Sequence, residues 1–392
     1  MEFKKYKMED IATFSQGKQV EIENQYTEQK ENMKRFLRII DFTNPNEPIR
    51  YVKDFGDRYY ATKDDLVMIR YGSQTCGKVV IGKEGIIANN MFKINLDNST
   101  VLNRYAYYCL KQDTVYNYLR GSQNSSTMPS INFGILNKLE IEVPSIDNQK
   151  KIIKILNDID QKIELNNEIN NNLYELSNNL FKKVLEENEI KEYKRLDEIS
   201  DCQNGHAFYK EGYDDTGLMV VDLGNVNLNS NFIYTNADKY ISKDRIPNEK
   251  FIVKKNDLVM IMTDRKATMD LLGKTAKIYE NKEYALNQRI YRIRSKINVN
   301  YLYTYLNSDK VSNELKSKAL GSVQKYINTN VINEIMVPLF EDEIMEKFSN
   351  IVNPIFEYME YNISENKILE QLRDTLLPKL MNGEIDLDSI EI

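Results

Sequence analysis

Few residues of this sequence are spaced for catalysis. The nearest match to the Asn/Asp-Pro-Pro-Tyr/Phe motif of adenine methylation is Asn353-Pro354-Ile355-Phe356. This stretch lies inside a helical apolar repeat where Ile355 is needed for packing, and no Gly-rich cofactor loop accompanies it. There is no GxxxxGK(S/T) phosphate loop, so ATP hydrolysis is not indicated. We predict that the chain carries no catalytic residue, binds no cofactor itself and is not an enzyme.

The sequence also offers no obvious metal site. His206 is the single histidine, and Cys76, Cys109 and Cys202 are far apart without a CxxC pair. This pattern fits neither a zinc site nor a disulfide framework. We interpret His206 as a surface residue, with a polar contact role beside Gly205 as the alternative. Asp, Glu and Lys are so abundant that spacing does not decide whether a carboxylate–lysine nuclease site exists.

Polar loops that follow short β-like runs are better suited to hydrogen bonding with DNA. Arg, Lys, Asn and Gln match base edges in the major groove, and loops are the usual carriers of such contacts. The loop 121–132, rich in Ser and Asn, is matched by 321–328. The candidate DNA-binding residues are Arg70, Tyr71, Ser73, Gln74, Lys78, Asn132, Arg265, Lys266, Lys274, Gln324, Lys325, Tyr326 and Asn328.

The segments that would position these loops occur twice in the sequence, as an internal repeat. Matching segments recur in order at offsets between 192 and 198 residues: 63–69 with 255–261, 77–78 with 273–274, 88–90 with 285–288, 105–110 with 301–306, 131–132 with 327–328, and 143–144 with 337–338. Internal repeats of this size indicate a duplicated structural unit.

Each copy has a mixed part and a helical part. Short β-rich runs separated by Gly and Asn, with helical stretches at 103–119 and 299–317, indicate a mixed α/β domain. We predict an α/β (α+β) tandem duplication. Its segments are a first mixed domain, 1–144, a spacer helix, 145–193, a second mixed domain, 194–338, and a second spacer helix with a C-terminal tail, 339–392.

Apolar residues at alternating spacings of three and four indicate one long helix in 149–185 and another in 342–381. Asn166 and Asn170 interrupt the first seam, and Asn362 and Asn366 interrupt the second at matching places. A seam Asn costs stability but fixes register. We predict an antiparallel coiled coil pinned by the pairs Asn166–Asn366 and Asn170–Asn362; the alternative is that Asn is simply abundant.

A helix of about 37 residues spans roughly 55 Å, which exceeds one turn of B-DNA, roughly 34–36 Å. Two similar domains joined by such helices could therefore read two half-sites on one duplex. The domains differ in sequence, so the half-sites should differ as well.

The plan resembles that of the type I restriction-modification specificity subunits, over nearly the whole chain. The local pieces that carry the resemblance are Pro144–x4–Gln149–x2–Ile152–x3–Leu156–x3–Asp160–x2–Ile163, the run 376–385, and Asp65–Ile69 followed by Gly72-Ser73 and Gly77-Lys78. The second copy departs from it: Thr263-Asp264-Arg265 stands where Gly-Ser is expected, and Glu343 stands where the first copy has Gln149.

The resemblance implies a chain that binds double-stranded DNA and recruits two adenine-N6 methyltransferase subunits, with up to two ATP-driven restriction subunits. S-adenosylmethionine and ATP with Mg²⁺ would then bind to those partners, and the two mixed domains would read an asymmetric, bipartite target. A duplicated coiled-coil interaction module without a DNA role is the alternative.

Charge and hydropathy agree with this interpretation only in part. The net charge is −6, but 1–144 and 194–338 carry +2 and +4, whereas 145–193 and 339–392 carry −3 and −9. Local Lys and Arg placement matters more for DNA binding than the total. The sequence has neither an apolar run of membrane-spanning length nor a secretory signal, so we expect a cytoplasmic protein without a membrane partner.

Overall fold

The computed structural model describes residues 2–43, 47–72, 75–121, 130–208, 212–224, 226–227, 232–233, 239–265 and 268–387. Contacts divide the chain into two units, the first formed by Met1–Ile163 with Lys367–Ile392 and the second by Glu164–Asn366. Each unit therefore combines one of the predicted mixed domains with part of both long helices.

In its described residues the first unit has ten short strands: β1 (Lys4–Lys7), β2 (Ala12–Gln16), β3 (Met33–Leu37), β4 (Arg50–Lys53), β5 (Tyr60–Ala61), β6 (Leu66–Ile69), β7 (Val79–Val80), β8 (Gly85–Ile87), β9 (Met91–Leu96) and β10 (Glu140–Val143). Its short helices are α1 (Met8–Ile11), α2 (Ile39–Thr43), α3 (Asn103–Lys111), α4 (Asp113–Gly121) and α5 (Phe133–Asn137). The strands form three sheets, ordered β2-β9-β6-β7, β4-β3-β8-β5 and β1-β10.

A long helix, α6 (Ile146–Glu187), begins in the first unit and ends in the second. The strands that follow it are β11 (Glu192–Arg195), β12 (Ser200–Asn204), β13 (Leu218–Val221), β14 (Val226–Asn227), β15 (Phe232–Ile233), β16 (Tyr240–Ile241), β17 (Ile252–Val253), β18 (Leu258–Ile261), β19 (Thr263–Asp264), β20 (Thr275–Lys277), β21 (Tyr284–Leu286), β22 (Ile290–Ser295), β23 (Lys325–Tyr326) and β24 (Met336–Leu339). The remaining helices are α7 (Val299–Leu306), α8 (Asp309–Ser317), α9 (Thr329–Asn333) and α10 (Asp342–Met381).

Strand order confirms the duplication. The second unit has sheets ordered β12-β22-β18-β20-β15-β14, β16-β13-β21-β17 and β11-β24, so each sheet of the first unit has a counterpart. Registers agree as well, because Ile69 pairs with Met91 in one unit and Ile261 pairs with Ile290 in the other. The register corrects one sequence match: Ala88 is the equivalent of Asn287, three residues before the paired strand residue, and not of Ala285.

The central strand of each main sheet is apolar on both faces. All four residues of β6 and all four of β18 are buried, which explains their continuous hydrophobic runs. One face of each main sheet packs against a helix pair, α3 and α4 or α7 and α8, through buried tyrosines such as Tyr105 and Tyr301. The sequence pattern predicts each pair as one helix; the chain instead turns at Gln112 and at Asn307-Ser308, and the Ser308 hydroxyl caps α8 by accepting from the Val311 N–H.

The two long helices are present, and they run through both units. α10 begins and ends where the periodicity predicts and continues through Pro354, and Gly383, at a φ of +73°, follows its last turn. A left-handed residue at this position is a common helix stop. The buried seam differs from the predicted one, however. The apolar spacing places Leu176, Ile351 and Leu372 in the seam, but these side chains are 46%, 54% and 44% exposed.

The residues that follow Leu176 and Ile351, namely Ser177 and Val352, are buried instead. Leu377 is buried as well, and Phe181 packs against Tyr301 and Phe348. The seam changes phase because each helix packs on a mixed domain as well as on its partner helix, and 3.6 residues per turn does not keep a strict heptad over this length.

Both predicted asparagine pairs are present in the second unit. The Asn166 Nδ2 donates to the Asn366 Oδ1 at 2.8 Å, and the Asn362 Nδ2 donates to the Asn170 Oδ1 at 2.9 Å. All four side chains are buried. Because residue number rises along one helix as it falls along the other, α6 and α10 are antiparallel.

Candidate nucleic-acid interface

In the first unit, the predicted contact residues Arg70, Tyr71 and Asn132 lie where the main sheet ends. The Arg70 N–H donates to the Asn90 carbonyl at 2.9 Å, and the Arg70 carbonyl accepts from the Ile131 N–H at 3.1 Å. Tyr71 bridges to Ser130. The structure therefore brings the loop after β6, the turn before β9 and the start of the 130–132 segment together.

Arg70 is held over its neighbour. Its guanidinium carbon is 4.9 Å from the Tyr71 ring centroid, a cation–π arrangement that leaves the N–H groups able to donate. The exposed Asn132 has a structural task, because its Oδ1 caps α5 by accepting from the Ile135 N–H at 3.0 Å. Arg70 and Tyr71 are thus better placed than Asn132 to hydrogen-bond to a ligand.

Three predicted residues lie outside the described residues. These are Ser73 and Gln74 of the first copy and Lys266 of the second. Their roles stay predictions.

The repeat-related lysines Lys78 and Lys274 differ in their surroundings. In each, the carbonyl accepts from the last residue of the central strand, Ile69 or Ile261, at 2.9 Å. Lys78 is exposed, whereas Lys274 is half-buried. Burial lowers the pKa of Lys274, the nearby Lys316 lowers it further, and Asp309 acts in the opposite direction. Of the two, Lys78 is better placed to reach a phosphate.

In the second unit, the corresponding sheet end forms an open groove of about 650 Å³. It contains three of the predicted residues, Gln324, Tyr326 and Asn328, and we call it the second-unit groove. Its lining residues are Asn204, Gly205, Met262, Thr263, Gln288, Arg289, Gln324, Tyr326, Ile327, Asn328 and Thr329. Most of these lining residues have polar side chains, with amide groups from three separate segments.

The wall of the second-unit groove is a small two-stranded antiparallel sheet, β19-β23. Thr263 and Asp264 pair with Tyr326 and Lys325, and Leu320 pairs back onto Tyr326. The predicted residues Lys325 and Arg265 belong to this wall region but do not line the groove; Lys325 is half-buried and Arg265 is exposed. The buried Asp264 carboxylate accepts from the Leu271 N–H at 2.8 Å.

Backbone hydrogen bonds identify equivalent residues in the two units. The Met262 N–H donates to the Arg289 carbonyl and the Met262 carbonyl accepts from the Ile327 N–H, both at 2.9 Å, which are the two bonds that Arg70 makes. Met262 is therefore the equivalent of Arg70, and Arg289 the equivalent of Asn90. Arg265, chosen from the sequence as the second-copy arginine, is not the counterpart of Arg70.

Close backbone approach shapes this sheet end in both units. A Cβ on Gly17 would lie 2.2 Å from the Ala88 carbonyl oxygen, and a Cβ on Gly205 would lie 1.8 Å from that of Asn287. Only glycine fits at such distances. Each glycine thereby allows the end of β2 or β12 to lie directly against the turn that precedes β9 or β22.

Sequence reasoning did not predict that the turn before β9 and β22 lies at this sheet end. Asn204, Gln288 and Arg289 line the second-unit groove although none of them was predicted to do so. In the first unit, the Gln16 Nε2 donates to the Asn89 carbonyl at 3.4 Å, at the equivalent place. The polar turn between two apolar runs was the available signal, and the misplaced match of Ala88 to Ala285 obscured it.

The long helix α6 is tied to the first mixed domain through the residues of the Pro–x4–Gln motif. The fully buried Gln149 side chain accepts from the Leu102 N–H at 2.9 Å and donates to the Thr100 and Pro144 carbonyls at 2.9 and 3.0 Å. The Asp160 carboxylate accepts from the Tyr108 hydroxyl at 2.8 Å, and burial, followed by Asp160, raises the pKa of Tyr108. Gln149 and Asp160 are thus engaged in hydrogen bonds within the protein.

The Asn353-Pro354-Ile355-Phe356 stretch is structural too. The Asn353 Oδ1 accepts from the side-chain amides of Asn298 and Asn300 at 3.0 and 2.9 Å, and Phe356 is fully buried. Within the described part of the chain, no three His, Cys, Asp or Glu residues are grouped so as to hold a metal ion. Over the same residues, no helix is both long and apolar enough to cross a membrane.

Comparison with known proteins gives a family for these features. A family model described as the type I restriction modification DNA specificity domain matches residues 1–175 and 188–373. The MjaVIII specificity subunit of Methanocaldococcus jannaschii, a type I restriction enzyme subunit, is 23% identical over 365 residues, which cover 87% of this chain and 84% of that protein. The MjaIX specificity subunit of the same organism is 23% identical over 340 residues, covering 80% and 76%.

One solved structure shares the fold. The S subunit of the type I restriction-modification system from M. genitalium superimposes with a TM-score of 0.55 at 19% identity, over 97% of this chain and 96% of that one. The likeness covers both repeats and both long helices.

Proposed function

This chain belongs to the type I restriction-modification DNA specificity family, and from that premise we propose how its residues divide the reading of DNA. The chain is a non-catalytic DNA-recognition subunit. In our proposal each repeat reads one half of a bipartite target, the first through Arg70, Tyr71 and the turn at Asn89-Asn90, the second through the second-unit groove.

The observation that carries this proposal is the pairing of like folds with unlike side chains. The two main sheets share strand order and register, yet their side chains differ at equivalent positions. The first repeat has Arg70, Asn90 and Gln16 where the second has Met262, Arg289 and Asn204. Side-chain type decides which base edge is recognised. Two equivalent surfaces with different donors and acceptors therefore favour two different half-sites, and thus an asymmetric target.

The family also supplies the partners. A specificity subunit works with DNA and with modification or restriction subunits of its own system. We propose that this chain recruits two adenine-N6 methyltransferase subunits and up to two restriction subunits, and that S-adenosylmethionine and ATP with Mg²⁺ bind to those partners. We also retain the cytoplasm as its proposed location. A coiled-coil interaction module without a DNA role is not favoured, because the family match covers both mixed domains.

The direct test is a map of modified adenines in cells that carry the partner methyltransferase with this chain, without it, and with Arg70→Ala. We expect one bipartite motif that is absent without the chain and loses base preference in a single half with Arg70→Ala. A motif that persists without this chain would contradict the recognition role. A chain-dependent motif that Arg70→Ala leaves unchanged would contradict the assignment of Arg70 alone.

A further inference from the structure

Among the lining residues that the structure describes, the second-unit groove has one fully charged side chain. It is Arg289, and none of these described residues is a carboxylate. The other arginines of β11, β22 and the segment between β16 and β17 are neutralised: Arg195, Arg245, Arg292 and Arg294 each pair with an aspartate. Arg289 is exposed and forms no ion pair or side-chain hydrogen bond with any residue that the structure describes.

The backbone of Arg289 is held in an unfavourable conformation. Its φ is +74°, in the left-handed region that an arginine rarely adopts. The turn is fixed on both sides, because the Arg289 carbonyl accepts from Met262 and the Gln288 N–H donates to the His206 carbonyl at 2.8 Å. Strained residues that the surrounding structure enforces are concentrated at ligand sites, where the strain sets the direction of a side chain.

The rest of the lining presents hydrogen-bonding groups without protein partners. The buried Gln324 Nε2 and Thr263 Oγ1 have no hydrogen-bond partner among the described residues. Buried polar atoms in this state are costly and point to a bound group or ordered water. The groove is therefore built for a ligand that has both a strong acceptor pair and further polar edges.

On this basis, and resting on the DNA-reading role proposed above, we propose that Arg289 recognises a guanine in the half-site read by the second repeat. The planar guanidinium donates two parallel hydrogen bonds, which match the O6 and N7 acceptors of guanine in the major groove. Adenine presents a donor at the position of O6 and is rejected. The neighbouring amides of Asn204, Gln288 and Gln324 fit adjacent base edges.

The first unit does not share this residue. Asn90 occupies the place of Arg289, and its side chain is half-buried, with an Oδ1 that has no partner among the described residues. An asparagine amide cannot present the paired donors that guanine needs. At this position of the shared fold, guanine recognition is therefore confined to the second repeat.

The test compares modified-adenine maps from cells that carry the complete methyltransferase complex with the wild-type chain, Arg289→Ala, Arg289→Gln or Arg195→Ala. Arg195 is the matched control, since it is exposed on β11 and paired with Asp197. We expect the wild-type motif to contain a required guanine in one half. Arg289→Ala should accept other bases there, Arg289→Gln should shift the preference towards adenine, and Arg195→Ala should change nothing.

Purified complexes give the magnitude. On duplexes that differ only at this guanine, the ratio of kcat/KM values should fall by roughly 10- to 100-fold in Arg289→Ala relative to wild type, with the other half-site unaffected. Thermal melting and co-purification with the methyltransferase establish that each variant folds and assembles, and Arg289→Lys provides a second variant that keeps the charge but loses the paired donors.

Several results would overturn the inference. They are an unchanged motif in Arg289→Ala, relaxation at a base other than guanine, or an equal loss of modification on all sequences with full rescue by Arg289→Lys, which identifies a phosphate contact. In each case the chain still directs modification, so the proposed function stands. If the wild-type chain directs no modification, the proposed function and this inference both fail.

Discussion

At the scale of single residues, equivalent positions of the two repeats differ in their chemistry. Arg70 and Met262 make the same two backbone hydrogen bonds, and the carbonyls of Asn90 and Arg289 accept the equivalent one of them. The backbone frame is thus shared, and the side chains vary upon it. This is the arrangement expected where recognition changes and the fold does not.

Part of the site could be predicted from the residues and part could not. Arg70 follows an apolar β-run, so its position beside the sheet end follows from the strand pattern, and Tyr326 was found because its loop, 321–328, matches 121–132 in the repeat. Arg289 was missed because its position depends on register: the repeat offset grows by three residues at the turn before β22, and no local propensity signals a left-handed arginine. Asn132 was chosen for its loop, whereas the short helix α5 uses it as a cap.

The left-handed turn makes a prediction for stability. A non-glycine residue at this φ costs about 1–2 kcal/mol, and the entropy of glycine in the unfolded chain offsets about 0.5–1 kcal/mol of the relief. Arg289→Gly should therefore raise the free energy of unfolding by about 0.5–1 kcal/mol in denaturant titration of the purified chain, while abolishing recognition at its base.

Gln288→Gly is the matched control for that variant. Gln288 lies in the same turn, and its φ is not positive, so glycine there should lower the free energy of unfolding by about 0.5–1 kcal/mol. If both variants are destabilised equally, Arg289 is not strained as described.

At the scale of elements, the long helices show what periodicity can and cannot supply. Their extents and antiparallel pairing follow from the spacing of apolar residues and from the symmetric placement of Asn166 and Asn366. The set of residues that forms the buried seam does not follow from this spacing, because the sequence does not show whether an apolar residue such as Leu176 or Leu372 faces a helix or solvent. Burial of Ser177 and Phe181 depends on the tertiary packing of the mixed domain, which no local pattern records.

The asparagine pairs give an element-scale prediction. Asn362→Leu leaves the buried Asn170 Oδ1 without the donor it has at 2.9 Å. The free energy of unfolding, measured in denaturant, should therefore fall by about 1–3 kcal/mol. The double variant Asn170→Leu with Asn362→Leu removes donor and acceptor together and should recover most of that loss. Its helices should then be less strictly held in register.

Asn171→Leu is the control, because this asparagine is exposed on the same helix and its replacement should change the free energy of unfolding by less than about 0.5 kcal/mol. A double variant that is destabilised as much as the sum of its single variants would mean that the two amides act independently and do not form a pair.

At the scale of the whole molecule, duplication was the most informative feature of the sequence, and three sheets with matching strand order confirm it. It was predictable because the apolar strand runs and the glycines beside them recur in order. Contacts assign parts of both long helices to each unit, whereas the sequence alone treats every helix as a segment of its own.

The central claim, that each repeat reads its own half of the target, is tested most directly by a chain in which residues 1–144 also replace 194–338. The measurement is the modified-adenine map directed by this chimera in complex with its methyltransferase, with assembly verified by co-purification. The account predicts that the two halves of the modified sequence become alike and that both match the half lost in Arg70→Ala. An assembled chimera that still modifies the original asymmetric sequence would contradict it.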